Sequence, residues 1–307
     1  MARNSKRKND DLSKLVTLIA VIIAILVGLH EAGYITIPFL STDSQMVEFE
    51  ADGNAYVHFI DVGQGDCQLI ISDDGSTMLI DGGEVEYGAV VVSYLNSIGI
   101  GHLDYIIGSH PHSDHIGGLI DVIASDITVD AVIMPQVADE YTPTTRTYED
   151  LLLAIVDEGC SLYIAKTDEI PLGSGTVYNY ITDYSDDNMN NYSVATKFVF
   201  GNRSFLFTGD AETEIERELI RLGYDVDADV YKVAHHGSST SSNREFLNAI
   251  SPDYCVIEVG ADNSYGHPHK EIVQRLKSYT DTILRTDLNG NIVFTTDGNT
   301  MTYYCDK

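Results

Sequence analysis

The sequence predicts a mixed α/β protein in which two β-sheets are covered by helices, a layered sandwich. Three observations lead there. From Ala55 onward short apolar stretches recur, each closed by Gly or Asp turn chemistry. Stretches of helical spacing are interspersed among them rather than segregated to one end. Hydrophobic residues make up 44% and charged ones 21%, as in a globular chain with a sizeable core. The same composition excludes collagen, coiled coils and disulfide-dense miniproteins, since the 25 Gly have no period and there are 7 Pro and only 4 Cys. Those cysteines (Cys67, Cys160, Cys255 and Cys305) stand far apart and form no zinc-type pair.

The first fourteen residues are basic, with Arg3, Lys6, Arg7, Lys8 and Lys14, and no further Lys or Arg occurs before Arg146. Residues 15–29 (LVTLIAVIIAILVGL) carry no charge. Fifteen helical residues reach about 22 Å, short of the ~30 Å hydrocarbon core, and the flanking apolar residues up to 37 supply the remainder. This pattern predicts a cytoplasmic tail (1–14) and a transmembrane signal-anchor (15–37), with a cleaved signal peptide as the alternative. The charge asymmetry places the basic end inside, giving a single-pass protein of the cell membrane with its larger part outside.

Residues 38–54 read as an acidic linker before a single domain at 55–307. That domain opens with the strands AYVHFIDV, CQLIIS and TMLIDGG, a helix over 87–100 and the strand DYIIGSH. A helix near 117–124, strand AVIMP and a helix over 148–158 come next. Strands SLYIA, TVYNYI, ATKFVFG and SFLFTGD lead to a helix over 212–222. Strand ADVYKVA, a helix over 244–250, strand YCVIEV and a helix over 270–279 precede the closing strands TILRT, NIVFTTD and TMTYYC.

The charge is extreme: 18 Lys+Arg against 47 Asp+Glu gives −29. The first 37 residues hold five of the basic and three of the acidic residues, so the remainder carries −31. A basic surface that grips nucleic acid by counterion release is excluded.

Chemistry concentrates in the histidines, seven of the ten falling in three short clusters. The first is Ser109-His110-Pro111-His112-Ser113-Asp114-His115-Ile116-Gly117-Gly118. His110, His112, Asp114 and His115 lie within six residues directly after a strand, so the backbone must curl around a common point. Imidazoles and a carboxylate at that spacing suit a borderline cation such as Zn²⁺ or Mn²⁺. Asp210 ends an apolar strand, where its two oxygens are able to bridge two cations. His235 and His236 end another strand, so alternation points them to opposite sides, and His236, next to Gly237, is favoured as the ligand. Asp81 ends TMLIDGG as an acceptor that orients the histidine loop. His267 precedes Pro268 on a tight turn and faces substrate as a proton donor. The segment DVGQGD lacks the third Gly of a dinucleotide fingerprint.

These segments together resemble the metallo-β-lactamase superfamily, and within it the hydrolase domain of ComEC-type competence proteins. The resemblance rests on the histidine loop together with Asp61-Val62-Gly63-Gln64-Gly65-Asp66, Leu79-Ile80-Asp81-Gly82-Gly83, Thr208-Gly209-Asp210-Ala211-Glu212, Lys232-Val233-Ala234-His235-His236-Gly237-Ser238 and Tyr265-Gly266-His267-Pro268-His269. It implies an αββα sandwich with two divalent metal ions, Zn or Mn, at the sheet edges. The wider superfamily supplies a third histidine to the first metal, yet none occurs between His115 and His235. The branch has an Asn/Ser segment there, matched by Asn190-Asn191-Tyr192-Ser193, with Asn191 and Ser193 in the pocket. The implied sites are His110, His112 and Asp210 for one metal, and Asp114, His115, Asp210 and His236 for the other.

The expected activity is hydrolysis of phosphodiesters, with Asp114 and His267 handling the leaving-group proton. The resemblance points to DNA taken up or processed during competence, with local cations such as Lys232 and Lys270 contributing affinity. The long multi-spanning channel segment of ComEC is not seen in this sequence, which tempers the DNA reading, and a separate uptake channel is a candidate partner. A phosphocholine esterase acting on surface teichoic acids is the alternative; its choline cage would draw on 19 Tyr, as there is no Trp. A non-catalytic extracellular binding protein is the alternative of another class.

Overall fold

The computed structural model describes residues 49–184 and 186–307. The basic tail, the expected anchor and the linker up to residue 48 lie outside the described residues. Among the described residues, no helix is long and apolar enough to cross a membrane. The end of the expected linker is not loose. The Phe49 backbone N–H donates to Gly99 O at 3.1 Å and its ring meets Tyr56 edge-on at 5.8 Å.

Fifteen strands among the described residues form two sheets. The eight-stranded sheet holds β1 (Ala55–Phe59), β2 (Gln68–Ile71), β3 (Thr77–Ile80), β4 (His102–Ile107), β5 (Thr128–Met134), β6 (Ser161–Ile164), β14 (Ile292–Thr296) and β15 (Met301–Cys305), in the order β15-β14-β1-β2-β3-β4-β5-β6. The seven-stranded sheet holds β7 (Asp168–Leu172), β8 (Gly175–Tyr180), β9 (Ala195–Phe200), β10 (Arg203–Phe207), β11 (Val230–Lys232), β12 (Tyr254–Ile257) and β13 (Thr282–Arg285), in the order β13-β12-β11-β10-β9-β8-β7. Strands β3 to β6 and β10 to β13 run parallel; the other pairings are antiparallel.

Period-two alternation sorts each strand between two cores. On β10, Phe205 and Phe207 pack between the sheets, while Leu206 faces the helices outside. On β2, Ile70 faces inward, and Leu69 and Ile71 face outward. Helices α1 (Gly88–Ser97), α2 (Ser113–Ile116), α3 (Leu119–Ile123) and α4 (Arg146–Glu158) precede β7 in the chain. Of these, α1, α3 and α4 bury Val91, Leu95, Leu119, Val122, Leu151 and Ile155 on the first sheet. Helices α5 (Thr213–Leu222), α6 (Arg244–Ile250) and α7 (Lys270–Leu276) cover the second with Ile215, Leu219, Phe246, Leu247, Ile272 and Leu276. The expected αββα layering is what forms.

Local chemistry sets the ends. Thr145 caps α4, accepting from Tyr148 N at 3.4 Å, and Gly159 closes it at φ 74°. Asn243 caps α6 through the N–H groups of Glu245 and Phe246. One strand, β7, turns Ile170 and Leu172 into the core with the exposed Pro171 between them. It lies at a sheet edge, where a proline's missing N–H costs no ladder bond. The four cysteines are free, with Cys67 and Cys255 buried.

Candidate metal centre

Polar residues follow the C-terminal ends of the parallel strands in both sheets, where open α/β sheets place their ligands. Asp81, directly after β3, adopts φ 58° and is buried. Its carboxylate accepts from Ser109 N at 2.7 Å, Ser109 Oγ at 2.6 Å and His115 Nδ1 at 2.8 Å. It therefore orients the histidine loop, and with Nδ1–H committed to Asp81, His115 presents Nε2 as the free ligand atom. The loop is seated by backbone contacts: Gly82 N donates to His115 O at 2.7 Å and Gly118 N to Gly83 O at 2.9 Å. A side chain on Gly118 would overlap the Gly82 carbonyl.

The strand alternation expected for His235 and His236 does not hold. Strand β11 ends at Lys232, and both histidines adopt left-handed backbone, each at φ 51°. Two successive left-handed residues turn both imidazoles toward one carboxylate. His235 Nε2 lies 3.6 Å from Asp210 Oδ2, and His236 Nε2 lies 3.7 Å from Asp210 Oδ1. His236 donates Nδ1–H to the Glu258 carbonyl at 2.9 Å, again freeing Nε2. His235 pairs Nδ1 with Thr240 Oγ1 at 3.1 Å.

Around Asp210 the second expected ligand set comes together. His115 Nε2 is 3.2 Å from Asp210 Oδ1 and 4.0 Å from Asp114 Oδ2. His236 Nε2 is 3.3 Å from Asp114 Oδ2. Ligand atoms of all four residues lie within 4.8 Å of one another. Donors at about 2.1 Å from a tetrahedral cation stand about 3.4 Å apart, so this spacing fits a metal. Moreover, His115 Nε2, His236 Nε2 and Asp210 Oδ1 are buried without a hydrogen-bond partner. Buried polar atoms in native structures are otherwise satisfied. For the first expected set, His110 Nε2 faces His112 Nδ1 at 3.0 Å, and Ser109 Oγ sits 3.1 Å from His110 Nδ1.

The electrostatics divide the histidines into two kinds. Burial lowers His115 and His236, yet the Asp210 and Asp66 carboxylates outweigh it, holding His115 well above its usual value and His236 up at about 10. Positive charge is favoured at those rings. His110 is instead pushed well below by burial and by His115. Burial opposes ionisation of Asp114, but His115 and His236 hold its carboxyl below the usual range. An ionised carboxylate at this place is suited to hold a cation.

Asn191 turns away from the cleft: its Nδ2 donates to Asp186 Oδ2 at 3.0 Å. Asn190 lines the cleft instead, with a buried, unpartnered Oδ1 and Nδ2 donating to Glu212 at 3.1 Å. Neighbours on a short 3₁₀ turn cannot share a direction, and the motif alone does not say which one faces in. Ser193 Oγ accepts from Asp210 N at 3.1 Å and so positions the shared carboxylate. His267 borders the cleft, with its ring 5.5 Å from His235 and stacked on Tyr265 at 5.6 Å. Burial, with His236 and His235 adding to it, pushes His267 down to about 4.

Sequence reasoning missed the layer beneath. Asp66 is fully buried, forms an ion pair with Lys232 and lies 3.2 Å from His236 Nδ1. Lys232 was expected as a surface cation for DNA; it is wholly buried, because Asp66 requires its charge. The segment DVGQGD held the available signal, in an aspartate preceded by two closely spaced glycines. Gly65 explains the pattern, since a side chain there would collide with the Asp114 carbonyl.

Above these residues lies a cleft of about 280 Å³, joined through Gln64, Glu84, Asp114 and Tyr265 to one of about 530 Å³. The larger arm is acidic, with Asp61 paired to Lys307 at 2.7 Å and Asp287 to Arg285 at 2.6 Å.

Residues 60–174 match the family model of the metallo-beta-lactamase superfamily. The chain is 28% identical over 257 residues to ComE operon protein 3 of Bacillus subtilis, covering 78% of this chain and 32% of that protein. It is 30% identical over 247 residues to competence protein ComA of Neisseria gonorrhoeae, covering 79% and 32%. The chain thus spans about a third of the length of these relatives. The solved structure of CmlA, a diiron beta-hydroxylase from Streptomyces venezuelae, aligns at TM-score 0.50 and 15% identity over 79% of this chain and 54% of that one, a likeness of fold.

Proposed function

Because the chain carries a metallo-beta-lactamase superfamily domain of the ComEC-like branch, we propose that it is a metal-dependent hydrolase acting on phosphodiesters. One observation carries this reading: Asp210 turns Oδ1 toward His115 and His236, and Oδ2 toward His235. Such a carboxylate is built to be shared between two cations. Two divalent cations of the Zn²⁺ or Mn²⁺ kind would supply Lewis-acid stabilisation of a phosphoryl group and a nucleophile usable at neutral pH. The chain's own residues orient that chemistry. Asp81 and the Glu258 carbonyl fix the tautomers of His115 and His236, and Ser193 holds Asp210 in place.

His267 is the residue of the cleft free to serve the leaving group. Its ring is neutral at pH 7, and the negative charge of a seated phosphodiester raises its affinity for the proton it delivers. His267→Ala is expected to keep its metals and lose ~10²–10⁴-fold in rate on an alkyl phosphodiester. On bis-p-nitrophenyl phosphate, whose leaving group needs no proton, the loss should be far smaller. Equal losses on the two substrates, or loss of metal, would give this histidine a different role.

DNA is the substrate that the competence relatives favour. With Lys232 buried, a strand would draw its affinity from the cations of the centre rather than from protein charge. The full chain loaded with Zn²⁺ or Mn²⁺ is expected to cleave single-stranded DNA and bis-p-nitrophenyl phosphate. Turnover of p-nitrophenylphosphocholine alone would favour the surface esterase, a reading that the acidic arm of the cleft supports. Inertness toward all three would remove the hydrolase reading.

The same proposal includes a membrane anchor at residues 15–37, an external domain and a separate uptake channel as partner. Protease added to intact cells is expected to remove the domain and spare the basic tail. Digestion only after lysis would reverse the placement.

A further inference from the structure

At the N-terminal ends of β4 and β5, remote from the cleft, His102, Asp104 and Asp130 bring three more ligand atoms together. The strands run parallel with His102 opposite Thr128. Residues two apart on a strand share a face, which puts His102 and Asp104 beside Thr128 and Asp130. His102 Nε2 lies 3.7 Å from Asp104 Oδ1 and 3.5 Å from Asp130 Oδ2. All three atoms are within 4.8 Å of one another. These separations match the edge of about 3.4 Å expected between donors around a tetrahedral cation.

Residues outside the trio fix which atoms point inward. Thr128 Oγ1 donates to Gly101 O at 3.3 Å, so at 2.8 Å it accepts from His102 Nδ1–H. With Nδ1 engaged by Thr128, the ring aims Nε2 at two carboxylates. Asp104 Oδ2 is held by Thr77 N at 2.8 Å and Thr77 Oγ1 at 3.1 Å, which leaves Oδ1 facing the histidine. Three potential ligand atoms thus converge on one point, a spacing that suits a cation.

We propose that His102, Asp104 and Asp130 form a peripheral site for a borderline divalent cation of the Zn²⁺ type, with its remaining positions open to water. One imidazole and two carboxylates neutralise a dication, and the imidazole favours Zn²⁺, Ni²⁺ or Co²⁺ over Mg²⁺ or Ca²⁺. From His102 to His110 the chain runs eight residues, on the order of 25 Å if extended, so the site shares no ligand with the Asp210 centre. The competing occupant is a proton on Nε2.

Equilibrium dialysis of the full chain against Zn²⁺ tests this without any turnover. One equivalent is expected beyond those at Asp210. It should persist in Asp210→Ala and be lost, or weakened at least ~10-fold, when His102→Ala is added. Asp130→Asn, a milder change at an exposed position, should weaken the same equivalent, and circular dichroism checks that each variant folds. Phosphodiesterase activity should not change in His102→Ala. Identical Zn²⁺ stoichiometry and affinity with and without His102 would overturn the proposal and leave the proton as occupant. Retention of Mg²⁺ in preference to Zn²⁺ would overturn the assigned class of cation.

Discussion

Asp210→Ala is expected to lose more than one equivalent of metal from the centre, and activity is expected to fall on the order of 10³-fold or more. The reason is the sharing of one carboxylate: His115 and His236 meet its Oδ1, His235 its Oδ2, and the ligand atoms of Asp114 lie in the same cluster. Asp210→Asn keeps the shape, loses the charge and should show nearly the same loss. Unchanged metal content in both variants would remove Asp210 from the centre.

A proton count accompanies this result. His236 is held up at about 10, and His115 well above its usual value, by carboxylates that outweigh burial. In the metal-free protein the His236 ring favours its proton at pH 7, and a cation must displace it to reach Nε2. Metal uptake at pH 7 should therefore release protons, read from the buffer dependence of the binding enthalpy, and affinity should rise with pH. The sign for stability is opposite. A histidine with a raised folded-state pKa contributes stability that is full below its unfolded value of about 6.5. That contribution is lost as pH climbs through about 10. The metal-free domain should thus lose stability between those limits, and less so in Asp210→Asn.

The second large effect is structural. Lys232→Met is expected to destabilise the metal-free domain by about 3–5 kcal/mol, the usual consequence of removing one partner from a buried ion pair. Lys232 and Asp66 are both buried. Burial and Asp66 hold the carboxyl of Glu258, which stands beside them, well above the usual range. Without Lys232, the Asp66 carboxylate keeps only the metal-centre histidines as partners. Adding Asp66→Asn should recover much of the loss, since the orphaned charge is then gone. Urea denaturation of the two single variants and the double variant measures the coupling. A cost below about 1 kcal/mol for Lys232→Met would mean that water reaches the pair.

How much was legible followed the range of the interactions. Of the loop residues His110, His112, Asp114 and His115, whose spacing shows in the sequence, Asp114 and His115 join Asp210 and His236 in one cluster, and His110 and His112 face each other beside it. Asp81 stands directly after a strand and before two glycines, and its contacts with Ser109 and His115 are equally local to the sheet edge. Asn190 and Asn191 point to different pockets from one 3₁₀ turn, a difference that the motif does not record. Lys232 was read as a surface cation because its partner stands 166 residues away in the chain.

By itself the sequence determined the alternation that sorts β2 and β10 between two cores, the apolar spacing of the helices and the histidine loop. Each of these is a local pattern, repeated every two or 3.6 residues or confined to one turn. Only the tertiary structure decided that His235 and His236 face the same carboxylate, that Asp66 and Lys232 neutralise each other beneath it, and that β7 closes a sheet edge despite Pro171. Alternation is a property of extended backbone and ends where two successive residues turn left-handed. A buried charge finds its counter-ion through the packing of the two sheets, which no spacing along the chain records.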